Sequence, residues 1–420
     1  MCAPRPARTV RVASMELGAG KSWEGSTMTS DAATATESTA GAGKEAAVGE
    51  PFRFFDNREK YLLFVTTTSE KAVVAARIGN ELDHLKPKPP ALRVFDAGTG
   101  NGIVLANVLR DLHRRMPTVP FVVVGKEVSM EDTRLTLSTL PGRFSEHPET
   151  VVVLTNMFYA EAPELFPRSL EAQAKVQWWD VPLEGSTSFE FQHQVGQLEN
   201  VLAEGWQTVS SPKTGNPVYA KPSVLVLYRS DRAFGLHDLI PRNIGAAQNF
   251  KYDLVLAAQP YRSRTPAEPK VKMVLAPIAR ALAPNGRLVV VQSTGHDPGM
   301  EIVRRIWPND EPFATPRHML IKELDRQLNA DGTNFHFEHY DDAQALFTYN
   351  LHAMPNEVTN RLTTSTALAA WNAAVYVAQI DDERVAKAMH EGNYLGVTND
   401  VVLKHGGLWF QDESFVVVRN

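Results

Sequence analysis

Val94-Phe95-Asp96-Ala97-Gly98-Thr99-Gly100-Asn101-Gly102 stands where a short apolar strand, 91–96, hands over to a helix-like run, 103–112. Three alternate glycines let the backbone pass close under a ligand, because no Cβ stands in the way. A tight strand-to-helix turn that binds nothing could carry the same glycines, so the turn is weighed with its surroundings. A nicotinamide fingerprint is spaced G-x-G-x-x-G and holds its pyrophosphate at a helix N-terminus. The spacing here is G-x-G-x-G, and Asp96 precedes the first glycine by two positions. That carboxylate would repel a pyrophosphate and suit a ligand bearing an ammonium group.

Working outward, apolar blocks alternate between strand-like and helix-like periods. Helical spacing over 70–85 is stopped by Pro87, Pro89 and Pro90. Buried strands are predicted at 121–124 and 151–154, with a helix over 130–140 between them. Strand, helix, strand, helix, strand predicts a parallel sheet covered on both faces. The rhythm breaks after Leu154 and resumes with a strand at 252–257, a helix near 270–282, a turn at Pro284-Asn285-Gly286 and a strand at 288–291. The irregular stretch holds Trp178-Trp179, a helical run 191–202, a Pro- and Gly-rich turn at 212–217 and a strand-like 224–227. It reads as an insertion, at about 160–222, into one α/β domain spanning 51–420; a separate domain would need its own core. Helices at 318–328 and 366–380, then apolar runs at 408–410 and 414–418, predict a closing strand or hairpin.

The glycine turn resembles motif I of class I S-adenosylmethionine-dependent methyltransferases, an acidic residue followed by G-x-G-x-G, and the likeness extends over roughly 91–292 without the insertion. It implies a doubly wound Rossmann-like α/β fold, with a mostly parallel sheet and an antiparallel last strand. It implies S-adenosyl-L-methionine as cofactor, with Asp96 positioning the methionine amino group and Gly98, Gly100 and Gly102 forming the floor. It also implies an acidic residue after the second strand to hold the ribose hydroxyls, the place of Glu127. Glu127 lies further from Asp96 than the roughly 20 residues of compact nucleotide folds, and the loop 116–120 fits the excess. After the third strand, Asn156 would reach the adenine amino group and Met157 would pack on the ring.

The fourth strand runs into Ala258-Gln259-Pro260-Tyr261, similar to the [DN]-P-P-[YF] turn of amino-group methyltransferases but with Gln259 for the acid or amide and a single proline. Gln259 and Pro260 would face the acceptor, and Tyr261 would pack on a planar substrate beside the reacting methyl. His296, in Gly295-His296-Asp297-Pro298, is a candidate base, although Asp297 before Pro298 is equally a helix cap. The aromatic residues Trp178, Trp179, Phe189 and Phe191 would form either a lid or the insertion's own core. Segment 54–68 occupies the place of an N-terminal cap over the cofactor, with Tyr61 as its contact, and the 366–380 stripe reads as core or a dimer face.

Composition limits the rest. The 420 residues are 43% hydrophobic and 22% charged, with a formal charge of −5, so a large core is expected and a phosphate backbone is disfavoured as main partner. Cys2 is the lone cysteine; no disulfide or zinc spacing exists, and a reducing cytoplasm is the expected setting. His336 and His339 are the nearest thing to a metal pair, but positions three apart on a strand face opposite ways. No run of 18 apolar residues suggests a membrane span. The low-complexity tail 1–50 cannot bury enough surface to order itself. Met15 and Met28 lie inside it, Met28-Thr29-Ser30 reads as a start of its own, and Gly18-Ala19-Gly20-Lys21-Ser22 copies the end of a P-loop without the flanking strand and helix.

The expected activity is methyl transfer to a nitrogen or oxygen of a small-molecule acceptor, with a protein acceptor docking on the insertion left open and nucleic acid disfavoured. The rivals are a binding module of the same fold that catalyses nothing and a nicotinamide-dependent oxidoreductase.

Overall fold

The computed structural model describes residues 8–11, 58–211, 217–232, 239–242, 244–330, 332, 334–352 and 364–420. The P-loop copy, the rest of the tail 1–50, the start of segment 54–68 and most of the turn at 212–217 lie outside the described residues.

The strands, in chain order, are β1 Arg8–Thr9, β2 Leu92–Asp96, β3 Phe121–Lys126, β4 Thr150–Thr155, β5 Gln177–Leu183, β6 Thr208–Ser210, β7 Pro217–Tyr219, β8 Ser223–Arg229, β9 Tyr252–Ala258, β10 Leu282–Ser293, β11 Phe335–Phe337, β12 Leu346–Asn350 and β13 Trp409–Arg419. Eleven of them form one sheet in the order β1-β5-β8-β4-β3-β2-β9-β10-β13-β11, with β12 also on β13, while β6 and β7 pair apart. The five central strands β4, β3, β2, β9 and β10 run parallel, and β13 runs antiparallel to β10. Strand order reverses between β2 and β9, so a crevice opens there beyond the carboxyl ends of the strands.

The doubly wound expectation holds because β2, β3, β4 and β9 are buried on both faces, which is why they read as unbroken apolar runs. One core lies under α2 Glu70–Gly79 and α3 Ile103–Arg115, together with Leu137 of α4 Met130–Thr139. The other lies under the helical stretch 267–279 and the helix Arg317–Asn329. A third cluster joins Phe64 of α1 Arg58–Thr67 to the helices Pro298–Ile306, Thr364–Val377 and Tyr394–His405, and to Tyr349 and Phe410 at the carboxyl end of the sheet.

Several details were not read from the sequence. Beyond β4 the chain extends the sheet: β8 pairs antiparallel with β4, and β5, within the irregular stretch, pairs parallel with β8. Trp178 and Trp179 fall on opposite faces and enter the two cores. Within the tail, Arg8 and Thr9 pair with Trp179 and Asp180, covering backbone groups that an edge strand leaves open. The helix expected near 270–282 is instead a short helix, a π-helical turn Val271–Leu275 and a second short helix Ala276–Ala279; Pro277 has no N–H to give the carbonyl four residues back, which favours the wider turn. The closing element is one strand, β13, enclosed between β10 and β11.

Candidate active site

A cavity of about 320 Å³ occupies the crevice, near the lower end of the range for ligand sites. Its floor comes from the loops after the parallel strands: Gly98 and Gly100 after β2, Glu127 and Val128 after β3, Tyr159 after β4, and Gln259 to Arg262 after β9. Its roof comes from Tyr61 and Phe64 of α1, Glu70 and Lys71 at the start of α2, Tyr349 of β12, and Tyr376, Val377 and Gln379 at the end of the helix Thr364–Val377.

The glycines of the turn do different things. A Cβ on Gly98 would meet nothing within 4 Å, so the backbone there lies open to the cavity. Gly100, at φ 52°, passes under the Tyr61 hydroxyl, which a Cβ would approach to 3.0 Å. Gly102 is not floor: at φ 77° it caps α3, and a Cβ would lie 2.7 Å from Thr136 Cα, so its smallness lets α4 pack on the turn.

Two carboxyl groups sit behind and beside this turn. Asp96 accepts the Gly98 N–H at 3.2 Å, and burial pushes its carboxyl up to about 7, against the pull of that hydrogen bond and with Glu127 adding to the rise. Glu127 accepts N–H groups from Gly100 at 3.0 Å, Val128 at 2.8 Å and Ser129 at 2.9 Å, yet burial still raises its carboxyl above the usual range. Neighbouring carboxyls short of solvent favour a cationic ligand, which relieves the charge each would otherwise bear alone. Lys126 lines the same wall with its ammonium 4.7 Å from the Tyr159 ring centre, and burial lowers its pKa. The Tyr159 hydroxyl donates to the Pro260 carbonyl at 2.7 Å, tying the loop after β4 to the loop after β9.

The roof is pinned in several places. Tyr61 accepts the Asn101 N–H at 3.0 Å, and burial pushes its phenol up to about 12, so it stays protonated. Arg58 pairs with Asp132 of α4 at 3.1 Å, and Asn372 donates to the Lys60 carbonyl at 3.0 Å. Tyr61 therefore lies over the glycine turn, on Gly100 and Asn101.

Several expected site residues lie elsewhere. Asn156 does not line the cavity: its amide donates to the carbonyls of Gly205 and Lys221, both at 2.9 Å, and accepts the Ser223 N–H at 2.8 Å. Both amide hydrogens are engaged in fastening the insertion to the end of β4, so adenine recognition there is withdrawn. Met157 is fully buried in the core under the helix Arg317–Asn329 and offers no face to a ligand. His296 is exposed and outside the cavity wall, whereas Asp297 accepts the Met300 N–H at 2.8 Å as the cap of the helix Pro298–Ile306. Tyr261 does line the cavity, but its hydroxyl donates to Gln292 Oε1 at 3.0 Å and burial raises its pKa, so it is not a base. The insertion's aromatic residues form no lid, since Phe191 and the tryptophans are buried in the cores and Phe189 lies in the solvent, outside the cavity wall. The 366–380 stripe is core, as read, but its end also supplies Tyr376, Val377 and Gln379 to the roof.

Sequence reading passed over Lys71, Lys126 and Tyr159. Lys126 had a signal, since it directly precedes Glu127; Tyr159 had none, because a lone aromatic in a loop carries no period. Among the described residues no group of three or more His, Cys, Asp or Glu could hold a metal ion, and no helix is long and apolar enough to cross a membrane.

No family model matches the chain, and no curated protein matches it. Among solved structures it is similar to the CMeT domain of the citrinin polyketide synthase, at 13% identity and TM-score 0.29 over 63% of this chain and 46% of that one. It is similar to geranyl diphosphate methyltransferase in complex with GPP and sinefungin, at 12% identity and TM-score 0.29 over 82% and 77% of the two chains. It is also similar to the rRNA methyltransferase aviRa from Streptomyces viridochromogenes, at 19% identity and TM-score 0.24 over 53% and 73%. The chain spans less than half the length of the first of these. Likeness at this level adds nothing to what the strand order itself shows.

Proposed function

We propose that this chain, a doubly wound sheet whose strand order reverses between β2 and β9, transfers the methyl group of S-adenosyl-L-methionine to a small-molecule acceptor. The observation that carries the reading is the open backbone face of Gly98 beside two desolvated carboxyl groups, Asp96 and Glu127, at the point where strand order reverses. When bound, the cofactor supplies an electrophilic methyl on a positively charged sulfur.

The chain's own residues then have three tasks. Gly98 and Gly100 give the cofactor a flat backbone floor, and Glu127 is placed to exchange a backbone N–H for the ribose hydroxyls. Asp96 and Glu127 complement a cationic ligand, and the phenol rings of the wall favour a sulfonium by about 0.5 to 2 kcal/mol where they face it. The roof of α1 and the helix Thr364–Val377 excludes water and holds donor and acceptor in line, where positioning contributes about 7 to 11 kcal/mol to lowering a barrier. The residues of the turn after β9, Gln259 to Arg262, line the acceptor side.

A thermal-shift series with S-adenosylmethionine, S-adenosylhomocysteine, NAD, NADH and ATP tests the reading. A ligand at a hundred times its dissociation constant stabilises the native state by about 2.7 kcal/mol. A rise in melting midpoint with the two adenosyl compounds alone supports it. A rise with the nicotinamides alone replaces it with an oxidoreductase, and binding without S-adenosylhomocysteine production across an acceptor library leaves a binding module.

A further inference from the structure

A second cavity, of about 660 Å³, lies on the side of the sheet that α2 and α3 cover, and it shares no residue with the first. Its size falls within the range of ligand sites. It is enclosed by α3, the end of α4, a short helix α5 Pro141–Glu146 and the helix Ser188–Val195. The wall has two parts. Ile103, Pro141 and Phe189 make an apolar part, with the Phe189 ring 64% exposed, and Arg110 and Arg143 make a charged one.

Arg143 is the anomaly, since its side chain is only 4% exposed. Nη2 donates to Glu146 Oε1 at 2.6 Å, while Nε and Nη1 are buried and meet no acceptor among the described residues. Buried donors in native proteins are met by protein, water or a bound ion, and leaving a charged group's donors unmet costs more than leaving neutral ones. Burial lowers the Arg143 pKa, Glu146 opposes, and Arg110 adds to the fall, so the two guanidinium groups stand near enough to repel. Arg110 itself is exposed, 3.5 Å from Asn107 Oδ1.

The neighbouring carboxylates are committed elsewhere. Glu146 is divided between Arg143 and His113, whose Nδ1 lies 3.5 Å away. Glu190 is turned back on Ser186 and Thr187, and Asp111 pairs with Arg114 and Arg115. His113 and His147 add no positive charge at neutral pH, because burial lowers both, His113 to about 3. Two positive groups thus meet one carboxylate, and one positive charge stays uncompensated at the cavity wall.

We propose that this cavity is a second ligand site, which takes a small organic anion: a carboxylate or phosphate head held by Arg110 and Arg143, on a flat apolar body packed against Phe189, Ile103 and Pro141. Guanidinium groups match both heads, with charge-assisted hydrogen bonds about twice as strong as neutral ones. The exposed Arg110 meets the head first, and Arg143 then turns its unmet nitrogens from the wall toward it, a motion its long side chain allows. An inorganic anion would leave Phe189 in water and a neutral ring would leave the arginines unmet, so recognition requires both parts. The proposal does not depend on the methyl-transfer reading, because the two cavities share no residue.

Titration calorimetry with 2-naphthoate, 2-naphthyl phosphate, 2-naphthamide and inorganic phosphate tests the two parts separately. At least one naphthyl anion is expected to bind the wild type about tenfold or more tightly than 2-naphthamide and inorganic phosphate do. The tighter of the two anions identifies the head. Arg110→Gln and Arg143→Gln are each expected to lose about tenfold or more of that affinity, and Phe189→Ala about fivefold. Should Arg143→Gln fail to fold, the variants at the exposed Arg110 and Phe189 give the same readout. The proposal is overturned if neither anion binds, if 2-naphthamide or inorganic phosphate binds as tightly as the naphthyl anions, or if Arg110→Gln keeps full affinity.

Discussion

Gly98 and Gly102 are two letters of one motif and stand in unlike surroundings. Gly98→Ala puts a methyl into open cavity, so stability is expected within about 0.5 kcal/mol of wild type while affinity for S-adenosylhomocysteine falls at least tenfold. Gly102→Ala combines a positive φ with a 2.7 Å contact on Thr136 Cα, and a loss of about 2 kcal/mol or more is expected. Urea denaturation alongside calorimetry separates the two outcomes, and equal destabilisation by both would contradict the division of roles. Asp96 adds a pH signature. Its carboxyl ionises near 7 when folded and near 3.9 when unfolded, so between those values the folded state holds the extra proton. The Asp96 contribution to the stability of the ligand-free protein should therefore fall as pH rises from about 4 to 7 and level off above. Asp412, pushed up to about 8 chiefly by burial, contributes with the same sign and carries the fall on to about pH 8. Asp96→Asn is expected to reduce the difference in unfolding free energy between pH 5 and pH 8, without abolishing it.

At the scale of elements, the loops after the strands were legible and the roof was only partly so. A loop following a buried strand is marked by the end of an apolar run, which is how Glu127 and Gln259 to Tyr261 could be placed at the edge of the sheet. The helix Thr364–Val377 carries no comparable mark: its apolar stripe reads as core because it is core, and only packing against α1 turns its last residues toward the cavity. Asn156 shows the opposite error, a polar residue at the right end of the right strand whose amide joins two pieces of backbone far apart in sequence. Asn156→Ala would leave three backbone groups, two of them buried, without that partner, and a loss of about 2 to 4 kcal/mol is expected. Affinity for S-adenosylhomocysteine should hold within about threefold, and a selective loss of affinity at unchanged stability would return Asn156 to the ligand.

For the whole molecule, the stretch read as an insertion adds strands and core residues to the sheet. β8 covers the edge of β4, β5 covers β8, and Trp206 within the insertion donates to the Glu127 carbonyl at 2.8 Å. Excising 160–222 while leaving β8 and β9 in place is expected to give insoluble protein, because β5 and the tryptophans leave both cores at once; a soluble, cooperatively melting deletion would show that the insertion is dispensable. The sequence alone determined the central parallel strands, the glycine turn between β2 and α3, and the acidic residue after β3, because each follows from short-range periodicity or from the steric freedom of glycine. Only the tertiary structure decided that Asn156 and Met157 face away from the cavity, that Tyr376 and Lys71 face into it, and that Asp412 stands behind Gln259. These depend on strand order and antiparallel register, which bring together residues far apart in the chain, 49 positions for Asn156 and Gly205 and 153 for Gln259 and Asp412, and no local period in the chain records which strand will become the neighbour of which.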